Sequence, residues 1–147
     1  MATERPPELK STDTPWYDTS LALLVGIAVM GAMVFQAAVI RPSGLAPPPA
    51  GAIPLFVFNT TAAVMGFVLL RRTDAAGYAV SIVTGILVVG TVVLVGTGAI
   101  GETPSSNGIQ AGPVVYTALG LALIVTSGVA WRKRAAAELS STSSTPT

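Results

Sequence analysis

The stretch GYAVSIVTGILVVGTVVLVGTGAI, Gly77 to Ile100, decides the fold, because it contains no Asp, Glu, Lys, Arg or His. A helix crosses the ~30 Å hydrocarbon layer with about 20 apolar residues at ~1.5 Å each, so this run is long enough to span. Three more uncharged stretches flank it: Thr19 to Ile40, Ala52 to Leu70 and Thr103 to Trp131. Hydrophobic residues form 51% of the 147 and charged ones only 10%, with mean hydropathy +0.68. Soluble domains carry about 25% charged residues, and a chain this short has too little polar sequence left to wrap four such runs as a core. The sequence therefore predicts an all-α polytopic membrane protein, with four spans at about 20–40, 53–70, 77–100 and 114–131 in an antiparallel up-down bundle.

Between the runs the chain changes character. Residues 1–19, which hold Glu4, Arg5, Glu8, Lys10, Asp13 and Asp18 among three prolines, predict a disordered tail. That tail is long and more acidic than basic, and the run after it exceeds the ~7–15 residues of a signal peptide core, so the first run is expected to be a retained span. Pro42 to Ala52 (PSGLAPPPAGA) and Glu102 to Gly112 read as loops. Pro54 and Pro113 suit first turns, where a missing N–H costs nothing, and Gly101 is the expected stop of the third span. The brief turn Thr73 to Ala76 makes the second and third spans adjacent. Residues 132–147 read as a basic stop and a second disordered, mobile tail.

Orientation follows from where positive charges sit, since Lys and Arg are retained on the cytoplasmic side. With the N-terminus inside, Arg5, Lys10, Arg71, Arg72, Arg132, Lys133 and Arg134 all lie inside and Arg41 alone lies outside. Both termini are thus expected to be cytoplasmic, with Arg71, Arg72, Arg132, Lys133 and Arg134 as topology determinants. Trp16, Tyr17, Tyr78 and Trp131 fall at the expected inner interface, where rings with a polar handle are favoured, and Tyr116 near the outer one. The same basic stops could also attract anionic lipid.

Helices in lipid associate through close contact at small residues and through interhelical hydrogen bonds. On the third span, Gly77, Ser81, Thr84, Val88, Thr91, Val95 and Gly98 recur at steps of four and three, which defines a packing seam. Gln36 and Asn59, the carboxamides within the spans, fall at similar depth on consecutive helices. They are expected to hydrogen-bond to each other, with Gly26, Met33 and Gln36 facing Asn59, Ala63 and Gly66. Gly108 and Gly112 form a GxxxG outside any apolar helix, where the motif has no packing meaning.

The inventory of missing residues narrows function further. Absence of cysteine and histidine removes thiolate chemistry, a histidine base and the usual transition-metal ligands, so neither cofactor nor metal is expected. Net charge of +1 gives no case for nucleic acid. Ion-coupled transporters keep an ionisable residue at membrane depth, and none falls inside these spans. The inter-span loops hold only Asp74 and Glu102 as carboxylates, on opposite sides, so an enzyme is not expected. What remains is a small structural or accessory protein of the bilayer, forming a homo-oligomer or packing against a larger membrane complex. The alternative is an oligomeric channel or facilitator for a neutral solute, lined by the hydroxyls of the third span. Composition rich in Ala, Val, Gly and Thr, with Arg preferred to Lys, resembles that of small membrane proteins from GC-rich prokaryotic genomes, which implies a multi-pass protein of the plasma membrane.

Overall fold

The computed structural model describes residues 15–40, 48–101 and 111–143. They form four long helices, α1 (Pro15–Ile40), α2 (Ile53–Arg71), α3 (Ala76–Gly96) and α4 (Ala111–Ser143), with a 3-10 turn at Ala50–Ala52 leading into α2. All four are long and apolar enough to cross a membrane. Each helix packs on its neighbours in the chain, and α4 also closes against α1. The expected outer loops fall mainly on residues outside the described ones, as do 1–14 and 144–147.

Four helix ends differ by more than one residue from the sequence expectation, the smallest shift being at α4, which begins at Ala111 rather than Val114 and so takes in the last two residues of the expected loop. α1 begins at Pro15, five residues before the expected start, because proline is tolerated in a first turn. The hydroxyls of Thr19 and Ser20 fold back onto the carbonyls of Pro15 and Trp16 at 2.6 and 2.9 Å. α3 ends at Gly96 rather than at Ile100. Its stop is Gly98, whose φ of 74° is a left-handed conformation that glycine adopts without Cβ conflict. The bonds Ala99 N–H to Leu94 O (3.1 Å) and Gly98 N–H to Val95 O (3.2 Å) are the 6→1 and 5→2 pair of a Schellman motif. Gly98 thus belongs to a turn and not to the helical seam assigned to it. α4 runs on to Ser143, through the basic stop and the expected mobile tail. Ala135 to Ala137 are strong helix formers, and Arg134 pairs with Glu138 one turn later at 3.0 Å.

The α2–α3 turn repeats the Schellman geometry with Asp74 N–H to Leu69 O (3.1 Å) and Thr73 N–H to Leu70 O (3.0 Å). Here the left-handed residue is Thr73, at φ 60°, where its Cβ opposes the conformation. Asp74 Oδ1 accepts the Ala76 N–H at 2.9 Å and Thr73 O accepts from Arg134 at 2.9 Å, so the surroundings hold what the residue type disfavours.

Around an apolar core of Leu24, Ile27, Leu70, Tyr78, Val88 and Leu123, the outside is apolar as well and several polar side chains are buried. Met33, Phe58, Ile86 and Val125 are more than half exposed. Ser20, Asn59, Ser81, Thr84, Thr91, Thr126 and Ser127 are buried. Close helix approach is set by glycine. A Cβ on Gly85 of α3 would stand 2.7 Å from Gly120 O, and one on Gly120 of α4 would stand 3.0 Å from Gly85 O and 2.9 Å from Val88 Cγ1. At Gly90, by contrast, a Cβ would meet nothing within 4 Å. Gly120→Val is therefore expected to cost about 1–3 kcal/mol through overpacking, whereas Gly90→Val stays within about 0.5 kcal/mol of the parent. Detergent unfolding followed by circular dichroism checks both, and equal losses at the two sites would contradict the close α3–α4 approach.

Candidate functional site

Apart from Ser81 and Thr84, which bond back to carbonyls of α3, the buried polar side chains gather in two places. At the first, Asn59 of α2 is 1% exposed and donates from Nδ2 to Thr91 Oγ1 on α3 (2.9 Å) and to the Tyr116 hydroxyl on α4 (3.4 Å). Thr91 in turn donates to Leu87 O of its own helix at 2.8 Å, leaving its lone pairs for the amide. The Tyr116 ring tilts against Phe56 with centroids 5.6 Å apart. One carboxamide thus ties three helices together.

The second cluster joins α1 to α4. Ser20 Oγ shares a hydrogen bond of 3.1 Å with Thr126 Oγ1 and accepts from Ser127 Oγ at 3.3 Å. Nearby, the Tyr17 hydroxyl donates to Leu70 O at 2.9 Å, joining α1 to the last turn of α2. Among the described residues, no buried side-chain nitrogen or oxygen lacks a hydrogen-bond partner.

The expected Gln36–Asn59 bond does not form. Gln36 is exposed, while the Asn59 amide is committed to Thr91 and Tyr116. Helix phase explains this: α1 buries Ser20, Leu24, Ile27 and Gly31, and Gln36 lies about two and a half turns from Ile27, on the opposite side of the helix. Met33 likewise points outward at 62% exposure. On α2 the buried positions are Asn59, Ala63, Gly66 and Leu70. On α3, Gly77, Ser81, Thr84, Val88 and Thr91 are buried, Val95 and Gly98 partly so. A Cβ on Gly77 would stand 2.7 Å from Leu70 N, and one on Gly66 3.3 Å from Ser81 Oγ.

Sequence reasoning missed the Ser20–Thr126–Ser127 cluster, the role of Tyr116 and the Gly85–Gly120 contact. Adjacent hydroxyls at 126 and 127 inside an apolar run were the available signal for the first. Nothing local marks the other two, since each depends on what the partner helix presents.

The basic residues divide by employment. Arg71 and Arg72 are exposed at the end of α2. Lys133 lies over the Trp16 ring at 5.6 Å from its centroid, and Arg134 bonds both Glu138 (3.0 Å) and Thr73 O (2.9 Å). Arg132 is exposed. Among the described residues no group of three or more Asp and Glu side chains comes together where a cation would sit.

No protein-family model, no curated protein and no solved structure matches this chain. Its buried polar side chains can bind helices together. Removing the amide by Asn59→Leu is expected to destabilise the bundle by about 0.6–1.7 kcal/mol, the span of interhelical hydrogen bonds in lipid. Gln36→Leu is expected to change nothing measurable. Reversible unfolding in mixed micelles reads both, and a larger loss at Gln36 would contradict the assignment.

Proposed function

We propose that the chain is an integral membrane protein of the plasma membrane, an antiparallel up-down four-helix bundle with cytoplasmic termini. Its role is that of a small structural or accessory subunit, packing against itself or a larger membrane complex without catalytic activity. The observation that carries this is the commitment of the interior: the buried hydroxyls and the Asn59 amide find their partners within the chain, while the outward helix faces are apolar and free to meet lipid or another helix. Burial of Ser81, Thr84 and Thr91 inside the bundle, each bonded back to a carbonyl of its own helix at 2.7–2.8 Å, speaks against a pore that α3 would line between subunits.

The antiparallel arrangement is supported by paired contacts running in opposite chain directions, Leu70 beside Gly77, Gly66 beside Ser81, and Asn59 bonded to Thr91. Sidedness is supported by the contacts of Trp16 with Lys133 and of Thr73 with Arg134, which gather the basic residues with the start of α1. Because the chain lacks cysteine, single cysteines report topology directly. Ala50→Cys is expected to react with a membrane-impermeant maleimide in intact cells, and Ser140→Cys only after permeabilisation. The reverse result overturns the orientation.

Assembly is tested by native mass spectrometry and light scattering after mild detergent extraction from the source membrane. Oligomers or a co-extracted partner are expected. A strictly monomeric species with nothing bound overturns the accessory role.

A further inference from the structure

Between α3 and α4 lies an open groove of about 380 Å³, lined by Ile82 of α3 and by Gly128, Trp131, Arg132 and Ala135 of α4. The α4 positions recur at steps of three, one and three, so they form one stripe along the helix, about 10 Å from end to end. The space beside Gly128 is open, since a Cβ there would meet nothing within 4 Å. Toward the helix middle the lining is apolar, with Ile82 and Gly128. At the other end stand an indole and a guanidinium.

We propose that this groove is a binding site for an anionic phospholipid, its acyl chain lying along Ile82 and Gly128 and its phosphate on Arg132. The commitment to an anionic lipid rests on charge complementarity and on the division of labour within Arg132-Lys133-Arg134. Lys133 is stacked on Trp16 and Arg134 is bound to Glu138 and Thr73 O, whereas Arg132 has neither ion pair nor hydrogen bond among the described residues. A guanidinium presents a fork of donors that matches a phosphate, and Trp131 supplies the amphipathic ring favoured at headgroup depth. No carboxylate lines the groove to compete for Arg132. The site rests on the bilayer reading above, but not on the accessory role.

Tryptophan fluorescence tests it. The chain holds two tryptophans, and Trp16→Phe leaves Trp131 as the reporter while retaining a ring beneath Lys133. The full chain is reconstituted into phosphatidylcholine vesicles containing a minor fraction of either brominated phosphatidylglycerol or brominated phosphatidylcholine. The anionic lipid is expected to be enriched at Trp131 by about fivefold, as one cation near a charged headgroup supplies. That enrichment is expected to vanish in Arg132→Gln and to persist in Arg71→Gln. Equal quenching by both lipids, or enrichment retained in Arg132→Gln, overturns the site. Loss in both arginine variants also overturns it, because it would mean a diffuse attraction to the whole basic face. Protein that fails to float with the vesicles overturns the bilayer reading itself, so the two failures are told apart.

Discussion

An apolar solvent offers no hydrogen bonds, and this constraint orders everything else in the molecule. A helix satisfies its own backbone, which is why long uncharged runs wind up as helices, and the turns that follow α2 and α3 take up the last carbonyls. Side-chain hydroxyls and the amide are subject to the same demand. They meet it by folding back onto the carbonyl one turn earlier, as Ser81, Thr84 and Thr91 do, or by meeting one another between helices, as Ser20, Thr126 and Ser127 do. Asn59 has no such local option for both its N–H groups, and so it reaches across to Thr91 and Tyr116.

With little apolar driving force between helices in lipid, shape decides which faces meet. Gly85 and Gly120 allow α3 and α4 to touch backbone to backbone, and Gly77 lets α3 start against the last residues of α2. Gly31 does the same for α1, where a Cβ would collide with Thr60. Large apolar side chains such as Met33, Phe58 and Val125 are turned outward, while the interior mixes an apolar core of Leu24, Ile27, Leu70, Tyr78, Val88 and Leu123 with buried hydroxyls and the Asn59 amide. The buried hydroxyls and the Asn59 amide are thus committed to contacts within the bundle.

On α4 three consecutive cations have three different surroundings. A count of positive charges treats Arg132, Lys133 and Arg134 as equivalent votes on topology. Packing separates them: one stacks on an indole, one ties α4 to the α2–α3 turn, and one borders an apolar groove. α4 passes straight through this region because alanines follow the charges, so the basic stop ends the apolar span without ending the helix.

That four segments are helices long and apolar enough to cross a membrane was legible from the sequence, because each depends on the hydropathy and length of a single segment; of the expected α3 seam, Gly77, Ser81, Thr84, Val88 and Thr91 are buried, Val95 only partly so, and Gly98 lies in a turn. Helix ends were legible only in part: two glycines, Gly98 and Gly101, compete to stop α3, and Thr73 takes a left-handed role that its residue type does not advertise. The partner of Asn59 belonged wholly to tertiary structure. Depth along the chain placed Gln36 and Asn59 level with each other, but the rotation of α1 turns Gln36 outward and puts Thr91 and Tyr116 beside the amide. A sequence determines how a segment satisfies its own backbone. Which faces then meet is a property of several helices packed at once, and no single helix carries that information.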